Sequence, residues 1–181
     1  MKVYLLLADG FELIEALTPV DVFRRAGITI ITVALGNHRT VMSSNLVEVQ
    51  ADTTWARANI SHGDALILPG GYPGYDNLAK DNAVGELAKI YYESGRIVGA
   101  ICGAPIILQI YGIGKGKHVT SHRCVKDQMV DFIHTGHDVE VDGNLITAIG
   151  AGHALDFSLA LLSALCGQEA VDKIKPGMEL K

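Results

Sequence analysis

The first place in this chain where chemistry could reside is a cysteine between an apolar run and a set of small residues. The stretch is Arg96 to Leu108, RIVGAICGAPIIL. Its first half, Arg96 to Ile101, reads as a strand, apolar and β-branched enough to be covered on both faces of a parallel sheet. A turn follows at Cys102, and Gly103, Ala104 and Pro105 suit the opening of a helix. Such a joint aims a side chain out of the carboxyl edge of a sheet, and backbone N–H groups at a helix start favour a thiolate there. Free cysteine is also among the most buried residue types, so position alone leaves an inert core thiol as an equal alternative.

The elements that must position this cysteine can be read in order. Lys2 to Leu7 is a buried strand ending in the turn residues Ala8, Asp9 and Gly10. Phe11 to Ala26 carries apolar residues at helical spacing, with Gly27 as a stop. Ile28 to Ala34 completes a βαβ unit. Thr40 to Met42 and Leu46 to Val49 are two short candidate strands of an edge hairpin. Ala65 to Leu68 is a further buried strand, and it runs into Pro69, Gly70, Gly71, Tyr72, Pro73 and Gly74, an ordered loop whose backbone amides can approach a ligand. Asp81 can cap a helix from Asn82 to Ser94. Beyond the helix from Ala104 to Tyr111, Val119 to Ser121 reads as a strand leading to His122, and Val125 to Phe132 as a helix. Asp138 to Val141 and Leu145 to Ala148 flank Asp142, Gly143 and Asn144, a hairpin signal. Ala154 to Leu165 is apolar nearly all round, hence a buried helix, and a short helix from Gln168 to Ile174 follows.

Alternating strands and helices without a linker or repeat predict a single α/β domain over residues 1–181, with a doubly wound, mostly parallel sheet. Ligands in such folds bind outside the carboxyl ends of the strands. Four loops converge on that edge: Asp9 to Glu15, Pro69 to Gly74, Cys102 to Pro105, and Ser121 to Arg123.

Composition narrows the function classes. The chain has 181 residues, 49% of them hydrophobic, and a net charge of −5. Its apolar runs are too short to span a membrane, and no basic cluster attracts nucleic acid. Three cysteines at no metal-ligand spacing, with no signal peptide, predict free thiols in a reducing cytoplasm. His118, His122 and Cys124 do not share a helix face, so no metal is expected. Gly112 to Lys117, GIGKGK, follows a helix rather than a strand and matches no phosphate loop.

Four stretches carry a family resemblance: LLADGFELIEALTPVDVFRRAG at Leu6 to Gly27, ALILPGG at Ala65 to Gly71, VGAICGAP at Val98 to Pro105, and VTSHRCVKDQM at Val119 to Met129. Together they resemble the ThiJ/PfpI superfamily, in its DJ-one/YajL-like branch. The resemblance implies a flavodoxin-like fold of the class I glutamine amidotransferase type and a homodimer. It makes Cys102 the nucleophile, Glu15 its carboxyl partner and His122 a nearby base or proton carrier, and it suggests Gly70, Gly71 and Gly103 as the oxyanion and substrate-binding backbone. Gly103 stands where the proteolytic PfpI branch has His, which counts against a peptidase. Arg123 stands where human-like relatives have Pro, and Asn45 where they have Arg near the dimer contact.

The implied chemistry turns on one proton. An ionised Glu15 would raise the Cys102 pKa by repulsion, whereas a protonated one can donate a hydrogen bond to a thiolate. Glu15 is therefore expected to be buried, and protonated when Cys102 is a thiolate. The resemblance implies a glyoxalase III or deglycase type of enzyme that acts, without metal or organic cofactor, on methylglyoxal, glyoxal or their early adducts, giving lactate or glycolate. The alternative is a redox-sensing, oxidative-stress-protective or chaperone protein that uses the same oxidisable cysteine. A thiazole-biosynthesis role has only the family's name behind it.

Overall fold

A computed structural model describes residues 1–181. The strands are β1 (Lys2–Leu7), β2 (Thr29–Ala34), β3 (Thr40–Met42), β4 (Glu48–Gln50), β5 (Thr53–Thr54), β6 (Ala65–Leu68), β7 (Ile97–Ile101), β8 (His118–Val119), β9 (Ile133–His134), β10 (Val139–Asp142) and β11 (Leu145–Ala148). The helices are α1 (Leu13–Arg25), α2 (Gly74–Lys80), α3 (Asn82–Glu93), α4 (Ile106–Tyr111), α5 (Arg123–Lys126), α6 (Ala154–Cys166) and α7 (Gln168–Ile174).

Seven strands form the central sheet in the order β10-β11-β7-β6-β1-β2-β5. All neighbours pair in parallel except β10 with β11, the hairpin that turns at Asp142 to Leu145. The two-residue alternation of a strand divides the core. Val3, Leu5 and Leu7 of β1 face a core shared with α1, α6 and α7, while Tyr4 and Leu6 face one shared with α2, α3 and α4. Both faces are thus covered, which is why the inner strands read as continuous apolar runs. The fold is flavodoxin-like and mostly parallel, as the alternating pattern predicts.

Several boundaries differ from the sequence reading, each for a local reason. The helix after Cys102 begins at Ile106 rather than at Gly103. Between them the chain makes tight turns, with Ala104 N–H donating to Ile101, Ile106 to Gly103, Ile107 to Ala104 and Leu108 to Pro105. Helix α2 was not anticipated, because Pro73 and Gly74 read as loop. The segment after His122 forms only the four-residue α5, since Gln128 and Met129 close three-residue turns instead of continuing it. The β3–β4 hairpin is a separate two-stranded sheet rather than an edge of the main one. Helix α6 buries Ala154, Phe157, Ser158, Leu161 and Leu162 but leaves Leu155 and Leu159 half-buried, so its apolar circumference is only partly covered.

Candidate active site

Strand β7 delivers Cys102 to the carboxyl edge of the sheet, and its backbone is held on both sides. Its N–H donates to the Ala148 carbonyl at the end of β11, and its carbonyl accepts from His122 N–H, each at 2.9 Å. Cys102 has φ +63°, a left-handed conformation that costs a non-glycine residue on the order of 1–3 kcal/mol. That conformation turns the side chain out of the strand direction. Cys102 is half-buried, whereas Cys124 is exposed.

Glu15 comes from the first turn of α1 and is fully buried. Its Oε2 accepts the Gly70 N–H at 2.8 Å. Oε1 is buried without a hydrogen-bond partner of its own, and the Cys102 thiol is the group against which the carboxyl lies. Burial pushes the Glu15 pKa up to about 7, with the nearby Glu12 charge adding to the rise and the Gly70 N–H opposing it. Glu12 sets up this geometry: its Oε2 caps α1 by accepting Glu15 N–H at 2.9 Å, and its own N–H donates to the Gly70 carbonyl. Nothing in the sequence marks Glu12 as this cap.

Gly70 can only be glycine here. A Cβ at that position would lie 2.6 Å from both Cys102 Cβ and Glu15 Oε2. The loop after β6 brings the Gly71 amide to the Cys102 sulfur, and the turn after Cys102 brings that of Gly103. Even so, the thiol is pushed up to about 12, first by burial and then by the Glu15 charge, against the pull of those two amides. The expectation that a helix start would favour the thiolate therefore fails. The α4 helix opens four residues beyond the sulfur, and burial beside a carboxylate outweighs two N–H donors. The expectation that Glu15 is buried holds, and that burial raises its proton affinity.

His122 caps α5, and its Nδ1 accepts Cys124 N–H at 3.2 Å. That bond assigns the proton of the neutral ring to Nε2. Thr120 N–H on Thr147 Oγ1 ties the loop to β11. A Cβ on Gly150 would lie 3.9 Å from both Glu15 Oε1 and His122 Cδ2, so the carboxyl and the imidazole converge over this glycine. Gly150 belongs to a fifth loop that the sequence reading did not place at the site. Cys102, Glu15, Gly70, Gly71, Gly103 and His122 are thus brought together, as expected. A cavity of about 300 Å³ at the ends of β1 and β2, lined by Leu7, Asp9, Leu35, His38 and Asn77 among others, shares none of these residues.

The arrangement pairs a sulfur nucleophile with a carboxyl of near-neutral proton affinity, two amide donors and an imidazole. The family model of the DJ-1/PfpI family matches residues 1–164. The chain belongs to the DJ-1/PfpI family. Protein dj-1beta of Drosophila melanogaster is 35% identical over 175 residues, covering 96% of this chain and 94% of that protein. The crystal structure of Drosophila melanogaster DJ-1beta superposes with a TM-score of 0.95 at 33% identity, over 99% of this chain and 98% of the other. A family member from Caenorhabditis elegans, glutathione-independent glyoxalase DJR-1.2, is 31% identical over 172 residues, 94% of this chain and 91% of its own. No helix is long and apolar enough to cross a membrane.

Proposed function

We propose that this protein is a cysteine-dependent, cofactor-free enzyme that converts methylglyoxal to lactate, with glyoxal and early adducts of such 2-oxoaldehydes as related substrates. The observation that carries this reading is the fully buried Glu15 carboxyl against Cys102, raised to about 7. A carboxylate of that affinity accepts the thiol proton as the sulfur attacks, so the nucleophile is generated when substrate is present.

The sulfur adds to the aldehyde carbon, and the thiol proton passes by way of Glu15 to the new oxygen, giving a hemithioacetal. The amides of Gly71 and Gly103, which face the sulfur, are placed to hold the oxyanion that forms on the way. Glu15, again ionised, takes the proton from C1. The electron pair forms the C1=C2 bond of an enediolate, the C1 hydroxyl proton passes to the C2 oxygen, and return of the abstracted proton from Glu15 to C2 leaves a thioester of lactate. Water then cleaves the C–S bond, with His122 carrying a proton, and releases lactate and the free thiol. The sum is one ketoaldehyde plus one water giving one hydroxyacid, with no oxidant consumed.

The sensor reading uses the same sulfur, but oxidation by peroxide needs a standing thiolate. Burial and the Glu15 charge, which push the thiol up, work against a standing thiolate. The family resemblance also supports a homodimer. Ser44 N–H donates to the Phe11 carbonyl and joins the β3–β4 hairpin, whose Leu46 and Val47 are exposed, to the segment leading into α1, where Ile14 is exposed. Light scattering of the purified protein checks it. The test of the activity is lactate formation from methylglyoxal without glutathione. Cys102→Ala should abolish it and Cys166→Ala should not; undiminished lactate from Cys102→Ala contradicts the proposal.

A further inference from the structure

Tyr75 is tied to both backbone segments that face the Cys102 sulfur. Its N–H, in the first turn of α2, donates to the Gly71 carbonyl at 2.9 Å. Its ring lies on Gly103, so closely that a Cβ there would stand 2.5 Å from Cδ1 and Cε1. The exposed Tyr72 packs against that ring, centroids 6.1 Å apart and planes tilted by 57°. The Tyr75 ring therefore walls the turn after Cys102 on the side of Gly103, one of the candidate oxyanion amides.

The Tyr75 hydroxyl differs from those of the other anchored tyrosines. Tyr4 donates to the Asn59 carbonyl, Tyr91 to that of Ile60 and Tyr111 to that of Ala79. Each is held by the fold. The Tyr75 phenol has no backbone acceptor; it lies beside the Cys124 thiol, within electrostatic reach of Cys102. Burial and the two neighbouring sulfurs raise its pKa, so it remains a proton donor across the working range. A half-buried donor whose one polar partner is a thiol, a weak acceptor, and whose ring lies on the residue next to the nucleophile is a group free to turn to a ligand.

We propose that Tyr75 is a specificity-determining residue, whose phenol donates a hydrogen bond to the C2 oxygen of a 2-oxoaldehyde bound at Cys102. The inference rests on the carbonyl chemistry proposed above and narrows its substrate class. Gly71 and Gly103 serve the oxygen on C1, where the sulfur attacks. The C2 oxygen gains negative charge only when the C1 proton leaves and the enediolate forms, and a second donor is needed there. Aldehydes without a neighbouring carbonyl have nothing to present to it.

Tyr75→Phe tests this while keeping the ring on Gly103. The first readout is the equilibrium adduct of Cys102 with methylglyoxal and with propanal, followed by intact-protein mass spectrometry. Loss of the phenol should weaken the methylglyoxal adduct about fivefold and leave the propanal adduct unchanged. The second is turnover: kcat should fall about a hundredfold, with KM changing less than about threefold, because the donor acts chiefly in the transition state. Cys124→Ala, which removes the phenol's competing thiol partner, should retain both properties. Equal effects on the two adducts would reduce Tyr75 to a packing residue, and unchanged adducts together with unchanged kcat would overturn the proposal. Should the wild-type protein release no lactate, the glyoxalase reading fails, while the adduct comparison still decides the role of Tyr75.

Discussion

Glu15 and Asp142 carry the same functional group, and the fold moves their proton affinities in opposite directions. Asp142, at the end of β10, accepts Lys117 Nζ at 2.6 Å and His118 N–H at 2.9 Å, and lies 3.3 Å from His118 Nδ1. The Lys117 hydrogen bond, followed by the His118 N–H, draws its pKa down to about 2. Glu15 has one N–H donor and no cation, and burial lifts it to about 7. The difference lies in what the surroundings offer the charge. A partly exposed carboxylate with a cation beside it stays ionised and serves structure. A buried one with a single amide and a thiol for neighbours is left near the pH at which protons are exchanged.

The largest effect that would break this contrast is replacement of the exchanging group. Glu15→Gln keeps an acceptor for the Gly70 N–H but cannot take a proton, and lactate formation should fall by about 10²- to 10⁴-fold. Turnover within tenfold of wild type would remove Glu15 from the chemistry. Gly70→Ala comes next, since its Cβ must displace Cys102 or Glu15. Overpacking of this kind typically costs about 1–3 kcal/mol, so both the melting temperature and turnover should drop.

The two carboxylates also predict opposite dependences of stability on pH. Glu15 has a folded pKa above its unfolded value, so its contribution is complete below about pH 4.5 and is lost as pH rises through about 7. The span corresponds to roughly 3 kcal/mol, which Glu15→Gln should remove from urea-unfolding curves between those pH values. Asp142 has a folded pKa below its unfolded value. Its contribution is present above about pH 4 and disappears as pH falls through about 2. Asp142→Asn, the smallest of these effects, should lower the melting temperature at pH 7 by no more than a few degrees and leave turnover intact, because its partners are partly exposed.

Much of the scaffold was legible because its signals are local. Asp81 caps α3 through Ala83 N–H, and the Asp142–Gly143–Asn144 turn closes the β10–β11 hairpin with Gly143 at φ +67°. The apolar runs of β1, β6 and β7 follow from burial on both faces. The position of Cys102 at the carboxyl edge is also local, since a strand must end somewhere before its turn. Glu15 required the family resemblance, because nothing in an amphipathic helix says which carboxylate points inward. Gly150 and the cap at Glu12 were missed, as each depends on contacts between segments distant in sequence. The thiol's proton affinity was misread for the same reason: a helix start is visible in the chain, but burial and a carboxylate from α1 are not.

A shared titration of Cys102 and Glu15 is the centre of the proposed chemistry. The direct measurement is the rate of iodoacetamide alkylation at the Cys102 peptide as a function of pH, in the wild type and in Glu15→Gln. A coupled pair should show reactivity rising with loss of its first proton, at a midpoint near the Glu15 value of about 7, and that midpoint should vanish in Glu15→Gln, leaving reactivity that rises only above the ordinary thiol range of about 8.5. The same midpoint in both proteins would show that Glu15 does not govern the sulfur, and would contradict the account.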